Sequence, residues 1–163
     1  MAKIYIGLGS NLSDPKKQIL LAIEALKTIS TCQITCLSSL YYSRPMGPQD
    51  QPDYMNAVAE MTTTLSPLDL LDELQAIENS AGRVRKDNRW GARILDLDIL
   101  LFNNKVINNE RLIIPHYGLE LREFVLLPLA EISPELILPN RKSVLTLSQT
   151  IDSNGLKIHS KLR

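Results

Sequence analysis

The stretch LDLDILLF, residues 95–102, carries the pattern on which the predicted fold depends. Its first half alternates apolar and acidic residues, as a β-strand does when successive side chains point to opposite faces of a sheet. Asp96 and Asp98 are therefore predicted to share one face, while Leu97, Ile99 and Leu101 enter the core from the other. The stretch is predicted to be a strand that carries two carboxylates at its start.

Five further elements are predicted upstream of this strand. Residues 3–8, 33–43 and 54–65 are rich in β-branched and aromatic residues, which favour strands. Two helices are predicted between them. Ser13 and Ser66 are the predicted N-caps, because each lies shortly before a proline and a series of apolar residues at helical spacing. The predicted order is therefore strand, helix, strand, strand, helix, strand.

This order predicts an α+β fold, a ferredoxin-like βαββαβ sandwich with both helices on one face of an antiparallel sheet. A C-terminal extension is predicted to add a hairpin, a short helix around residues 119–129 and a final segment. Residues 44–52 contain three prolines and one glycine and are predicted to form a loop. Residues 7–11, GLGSN, are predicted to form a tight turn. No repeat or linker interrupts the chain, so residues 1–163 are predicted to form a single domain.

The charge balance of the chain argues against several classes of partner. Lysine plus arginine and aspartate plus glutamate number 18 each, so a net charge of zero offers no bulk attraction for nucleic acid or an anionic membrane. No apolar run approaches the roughly 20 residues that cross a bilayer. Cys32 and Cys36 are predicted to be reduced and structural, because two cysteines and two distant histidines cannot form a four-ligand zinc site. These features predict a cytoplasmic protein.

The two aspartates follow a segment that is rich in cations. Arg83, Arg85, Lys86, Arg89 and Arg93 all lie within the 13 residues before Asp96. Two neighbouring carboxylates repel each other, and a hard divalent cation such as Mg²⁺ removes that cost while taking further ligands from phosphate oxygens. Arginines next to a metal-binding pair therefore indicate that a polyphosphate lies between them. The alternative interpretation is a solvated acidic strand face.

Five ordered motifs resemble those of the hydroxymethyldihydropterin pyrophosphokinases, from the N-terminus to about residue 139. They are IGLGSNL at 6–12, GPQDQPDYMN at 47–56, GRVRK at 82–86 with RWGARILDLDIL at 89–100, PHY at 115–117, and REFVL at 122–126. The resemblance implies an ATP-dependent diphosphotransferase of folate biosynthesis. The hydroxymethyl oxygen of 6-hydroxymethyl-7,8-dihydropterin attacks the β-phosphorus of ATP, which gives the pterin diphosphate ester and AMP. The resemblance also implies that the protein is a monomer.

The resemblance assigns roles to individual residues. Asp96 and Asp98 would hold two Mg²⁺ ions that bridge the ATP phosphates. Arg83 and Arg93, on a mobile loop, would close over the triphosphate, and Trp90 would help to seal the site. The residues implied to line the ATP side are Gln75, Glu78, Arg111, His116, Tyr117 and Arg122. On the pterin side, Tyr54 and Phe124 would sandwich the ring, Asn56 would bond its polar edge, and backbone groups near Ser43 and Met46 would complete the pocket.

Several assignments have structural alternatives. Gln75 and Glu78, three residues apart, fit the wet face of a helix equally well. His116 fits an ordinary loop residue, and Tyr54 and Phe124 fit core aromatics. For the whole protein, the alternatives are a metal-dependent nucleotide-sugar transferase and a nucleotide-binding ligand sensor that catalyses nothing.

Overall fold

A computed structural model describes residues 1–11, 14–43, 54–81 and 94–162 of the chain. The fold is α+β, with an antiparallel sheet and four helices in the described residues. The helices are α1 (Pro15–Lys27), α2 (Pro67–Ser80), α3 (Glu123–Ile132) and α4 (Val144–Thr150). The strands are β1 (Ala2–Ser10), β2 (Cys32–Leu37), β3 (Leu40–Ser43), β4 (Tyr54–Thr63), β5 (Asp96–Phe102), β6 (Ile107–Asn108), β7 (Ile113–Ile114) and β8 (Lys157–Ser160).

The main sheet has the strand order β5-β1-β4-β3-β8, and β2 also pairs with β4. Every pair in it is antiparallel. Strands β6 and β7 form a separate hairpin, which confirms the extra hairpin predicted beyond residue 102. The predicted short helix is present as α3, although it begins later in the chain than expected.

Two predicted boundaries differ from the structure. The strand predicted at residues 33–43 is divided into β2 and β3, because the hydroxyl of Ser38 accepts a hydrogen bond from the backbone N–H of Val58 and donates one to the carbonyl of Ser39. These side-chain bonds take the place of the regular ladder at that point. Helix α1 is capped by Asp14, whose carboxylate accepts from the backbone N–H of Lys17. Ser13, the predicted cap, lies outside the described residues.

The glycine-rich segment of the N-terminal motif is part of a strand. Gly7 and Gly9 lie inside β1, where Gly9 is paired with Asn56 on one side and with Asp96 on the other. The prediction of a tight turn at residues 7–11 is therefore wrong. Pairing with β4 and β5, together with burial of Ile6 and Leu8, outweighs the turn tendency of the glycines.

A β-bulge changes the predicted pattern of β5. The register passes from Ile6 opposite Ile99 to Tyr5 opposite Leu101, so that Leu100 is the additional residue. As a result Leu100 and Leu101 both join the same hydrophobic cluster. The prediction that Leu101 enters the same core as Leu97 and Ile99 is therefore wrong. The bulge interrupts the alternation of side chains, and Leu101 is buried in the cluster on the other face of the sheet.

The sheet is covered on both faces. Helices α1 and α2 pack on one face over a core that includes Ile4, Ile6 and Leu8 of β1. Helices α3 and α4 pack on the opposite face, over a second core that includes Tyr5. The prediction of helices on one face is confirmed for α1 and α2, and the C-terminal helices cover part of the other face. The polar ends of β1, β4 and β5 also lie on this second face.

Candidate active site

The candidate site lies on the sheet face that carries α3, at the start of β5. The strand register aligns Asp96, Gly9, Asn56 and Tyr41 in one row across four strands. A Cβ atom added at Gly9 would lie 3.2 Å from Oδ1 of Asn56. We call Gly9 the glycine floor, since it has no side chain of its own at the point between Asp96 and Asn56, whereas the space above Gly7 is occupied by the side chain of Leu100. Glycine inside a strand often marks a close approach by a ligand.

Asp96 and Asp98 stand on either side of the buried Leu97. The Leu97 side chain packs into the core under α1 and α2 and is only 3% exposed, so the two carboxylates point to the opposite face. Asp98 is 51% exposed, and Asp96 is half-buried. The two acidic groups are therefore fixed by a core residue and accessible to a ligand.

This donor set fits Mg²⁺. Mg²⁺ is typically held by one or two carboxylates together with waters and substrate phosphates. Within residues 1–11, 14–43, 54–81 and 94–162, no group of three or more His, Cys, Asp and Glu side chains is arranged to hold a metal. A cation bound to Asp96 and Asp98 would leave coordination positions that oxygens of water or of a bound phosphate suit.

His116 faces the same aspartates from the loop after β7. Its backbone N–H donates to the carbonyl of Leu100, and its Nε2 lies 3.8 Å from Oδ2 of Asp98. Nδ1 accepts a hydrogen bond of 3.0 Å from the backbone N–H of Gly118, which assigns the ring proton to Nε2. Burial, and secondly the charge of Arg122, lower the pKa of His116 to about 4. The ring is therefore neutral at pH 7 and presents an N–H donor on the side of Asp98.

Arg122 connects the two predicted halves of the site. Its guanidinium lies 4.9 Å from the ring centre of Tyr117 and 5.9 Å from that of Phe124. It also donates a hydrogen bond of 3.0 Å to the Tyr117 hydroxyl. A Cβ at Gly118 would come within 2.7 Å of the Arg122 Nε, so the glycine leaves space for this arrangement. The Arg122 guanidinium thus contacts both Tyr117, predicted on the ATP side, and Phe124, predicted on the pterin side.

The predicted pterin residues cluster on β3 and β4. Asn56 is 6% exposed, and its amide nitrogen donates to the hydroxyl of Ser43 over 2.9 Å. Tyr54 is paired with Ser43 in the register and is half-buried. Phe124 is also half-buried and packs against the edge of the second core. Both residues are therefore partly accessible to a ligand.

The remaining predicted ATP residues are distributed around α2. Glu78 is 6% exposed, and its Oε2 accepts a hydrogen bond of 2.8 Å from the backbone N–H of Leu97. The wet-face alternative is therefore wrong for Glu78, while Gln75 is half-buried. Arg111 forms an exposed ion pair with Asp72 of the same helix.

Four further predicted site residues cannot be placed in this geometry. Arg83, Trp90, Arg93 and Met46 lie outside the described residues. Two other predictions concern the chain as a whole. Cys32 and Cys36 are free thiols, as predicted. None of the helices in the described part of the chain has the length and apolar character needed to cross a membrane.

An accessible acidic pair, a neutral imidazole donor and a guanidinium define a candidate site for a phosphorylated ligand. The sequence model of the family 7,8-dihydro-6-hydroxymethylpterin-pyrophosphokinase (HPPK) matches residues 5–134. The chain belongs to this family, which confirms the resemblance found in its motifs.

Relatives of known name match nearly the whole chain. The 2-amino-4-hydroxy-6-hydroxymethyldihydropteridine pyrophosphokinase of Haemophilus influenzae is 53% identical over 160 residues, which are 98% of this chain and 99% of the relative. The protein of the same name from Pseudomonas aeruginosa is 46% identical over 155 residues and 95% of each chain.

Solved structures share the fold at lower sequence identity. The crystal structure of Plasmodium falciparum HPPK-DHPS with pteroate matches with a TM-score of 0.72 and 17% identity. The match covers 91% of this chain and 42% of that one, so this chain spans less than half the length of that protein. At this identity the similarity concerns the fold alone.

Proposed function

We infer that the chain transfers a pyrophosphoryl group from ATP to 6-hydroxymethyl-7,8-dihydropterin, in folate biosynthesis. A bond forms between the hydroxymethyl oxygen and the β-phosphorus, the bond from that phosphorus to the α-phosphate oxygen breaks, and AMP leaves. The hydroxyl proton is released. The observation that carries this conclusion is the match of nearly the full chain to the Haemophilus influenzae pyrophosphokinase, at 53% identity.

Asp96 and Asp98 are the proposed holders of two Mg²⁺ ions. Their shared face, their accessibility and the lack of a side chain at Gly9, opposite Asp96, support this assignment. When bound, Mg²⁺ would neutralise phosphate charge and lower the pKa of the substrate hydroxyl. The carboxylates themselves supply negative oxygen ligands on a strand that is fixed by the burial of Leu97.

The ATP phosphates are proposed to lie beside His116 and Arg122. The pKa of His116 lies near 4, so its imidazole is neutral at pH 7. The neutral ring can donate a hydrogen bond from Nε2–H to a phosphate oxygen without first taking up a proton. The guanidinium adds positive charge and five donors. The residues proposed to line the ATP side are Gln75, Arg111, His116, Tyr117 and Arg122. Glu78, which the resemblance also assigns to this side, is proposed to act through its hydrogen bond to the Leu97 backbone.

The pterin is proposed to lie between Tyr54 and Phe124, with Asn56 at its polar edge. The Asn56 amide nitrogen donates a hydrogen bond to the Ser43 hydroxyl, and this orients the amide oxygen toward Gly9. An amide that is already oriented loses less entropy when it binds a ligand. Ser43, Met46 and Trp90 are proposed to complete this side of the site, the last two from their positions in the sequence.

Arg83 and Arg93 are proposed to offset negative charge that develops on the transferred group. This assignment depends on their places in the GRVRK and RWGARILDLDIL motifs, since both lie outside the described residues. Phosphoryl-type transfer asks a protein mainly for positioning and charge stabilisation, which two arginines can supply.

Four broader properties are also proposed. The sheet order β5-β1-β4-β2, with α1 and α2 on one face, supports a ferredoxin-like arrangement. The family match over residues 5–134 supports one pyrophosphokinase domain within residues 1–163. A monomer is proposed from the family resemblance, and a cytoplasmic location is proposed with the support of the two free thiols.

The direct test measures AMP formation from ATP. We expect AMP only when both Mg²⁺ and 6-hydroxymethyl-7,8-dihydropterin are present, with one AMP for each pterin diphosphate formed. A nucleotide-sugar transferase would make no AMP under these conditions, and a ligand sensor would bind nucleotide without consuming it. Either result would contradict the proposed function.

Gly9→Ala is expected to weaken pterin binding. The new methyl group would lie 3.2 Å from the Asn56 Oδ1, which forces the amide to shift by a few tenths of an ångström. We expect about a tenfold loss of pterin affinity, as is typical for loss of one well-placed hydrogen bond, with little change in ATP affinity. Calorimetric titration measures both. Unchanged pterin affinity in Gly9→Ala would remove Asn56 from the proposed pocket.

A further inference from the structure

Glu78 places a buried carboxylate behind the two aspartates. It lies on α2, and therefore reaches β5 from the sheet face opposite to the one that carries Asp96 and Asp98. Its Oε2 accepts from the N–H of Leu97 over 2.8 Å. That N–H belongs to the peptide group that joins Asp96 to Leu97. The contact therefore acts on the backbone of the acidic pair.

The bonded N–H lies on the outer edge of the sheet. Strand β5 is the last in the described sheet and has β1 as its only strand neighbour there. In an antiparallel pair, alternate N–H groups point away from the neighbouring strand. The Leu97 N–H is one of these, and a charged acceptor gives it a bond stronger than an ordinary neutral one. The bond restricts rotation of the peptide plane between the two aspartates.

The burial of Glu78 indicates that this contact has a specific use. A carboxylate that is only 6% exposed is costly unless it is well bonded. Glu78 does not form a three-carboxylate metal cluster with Asp96 and Asp98, since no such group occurs in the part of the chain that the structure describes. Its hydrogen bond to the Leu97 N–H connects it to the backbone of the acidic pair.

We propose that Glu78 is a positioning residue for the metal site, and that its buried carboxylate holds the Asp96–Leu97 peptide so that both aspartates keep the geometry that a divalent cation requires. The inference rests on the proposed metal role of Asp96 and Asp98. Mg²⁺ demands near-ideal octahedral geometry, so a small rotation of this peptide weakens its binding. Groups that orient metal ligands typically change metal affinity by about 10- to 100-fold when they are removed.

Two conservative variants separate this role from a simple effect of charge. Glu78→Gln keeps the length of the side chain and a carbonyl acceptor for Leu97 but removes the charge. Glu78→Asp keeps the charge but is one methylene shorter and cannot make the same bond. Glu73→Asp is the matched control, because Glu73 is exposed on the same helix.

The test measures Mn²⁺ affinity by electron paramagnetic resonance, in the presence of a non-cleavable ATP analogue. We expect Glu78→Asp to raise the Mn²⁺ dissociation constant about tenfold or more, while Glu78→Gln stays within about threefold of the parent protein. Amide hydrogen exchange should show faster exchange at Leu97 in Glu78→Asp only. Glu73→Asp should change neither quantity.

The opposite order, with Glu78→Gln impaired and Glu78→Asp normal, would overturn the proposal and make the charge itself the important property. Unchanged Mn²⁺ affinity in a folded Glu78→Asp protein would also overturn it. A failure of the proposed function is distinguishable, because it would appear as a parent protein that forms no AMP. Failure of the metal assignment would appear as Mn²⁺ binding that does not depend on Asp98.

Discussion

Asp98→Ala is expected to reduce turnover by about a thousandfold while the fold remains intact, and Asp96→Ala should do the same. Loss of a metal-binding carboxylate removes several kcal/mol of charge stabilisation, and each 1.4 kcal/mol or so corresponds to a factor of about ten in rate. The Asp98 side chain is 51% exposed, so its removal should change the free energy of unfolding by no more than about 0.5 kcal/mol. Steady-state AMP formation and thermal unfolding measure the two effects.

The control for this pair is Glu24→Ala. Glu24 is exposed on α1, which packs on the sheet face opposite to that of Asp96 and Asp98, and its carboxylate lies 3.6 Å from the Lys27 ammonium of the same helix. It should keep full activity. Near-normal turnover with Mg²⁺ in either Asp96→Ala or Asp98→Ala would show that the metal assignment is wrong. A parallel loss of folding would instead mean that the carboxylates support the strand.

Phe124→Ala is expected to weaken pterin binding about thirtyfold, and Tyr54→Ala should have a similar effect. A lost stacking partner costs on the order of 1 kcal/mol beyond the burial of its area, which together give about 2 kcal/mol. Affinity for an ATP analogue should change much less in Tyr54→Ala. Because Phe124 also packs on the second core, its replacement should lower the free energy of unfolding by about 1–2 kcal/mol. Calorimetric titration with each ligand separates the two affinities.

Tyr42→Ala provides a matched aromatic control. Tyr42 is half-buried on β3 and is paired with Met55, so its side chain points to the sheet face opposite to that of Ser43 and Tyr54. Its removal should affect stability without changing pterin affinity. If pterin binds both Phe124→Ala and Tyr54→Ala as tightly as the parent protein, the two rings belong to the core.

Much of the fold and of the acidic pair follows from local patterns in the sequence. The alternation in residues 95–98 depends only on strand geometry, and the structure places Asp96 and Asp98 on the face opposite Leu97. The two main helices have prolines in their first turn and apolar faces at helical spacing, and both are present as α1 and α2. The bulge at Leu100 could not be predicted, because it results from pairing with β1 and not from β5 alone.

The parts of the site that sequence patterns missed depend on contacts between distant segments. Gly9 matters because the register places it between Asp96 and Asn56, and a local interpretation of GLGSN favours a turn. Glu78 was assigned to the ATP side by resemblance, yet its bond to the Leu97 backbone joins a helix to the edge of the sheet. The spacing of Gln75 and Glu78 does not reveal which of them is buried.

The glycine floor has a consequence for inhibitors that would occupy the space between Asp96 and Asn56. A compound that lies over Gly9 contacts only backbone atoms of this residue. Because glycine has no side chain, no substitution at this position can remove an atom that the compound contacts. Every substitution there adds at least a Cβ, and that atom lies 3.2 Å from the Asn56 Oδ1. A change that displaces the inhibitor would therefore also disturb the amide proposed to bind the substrate. Resistance arising at this position should therefore carry a loss of enzyme activity.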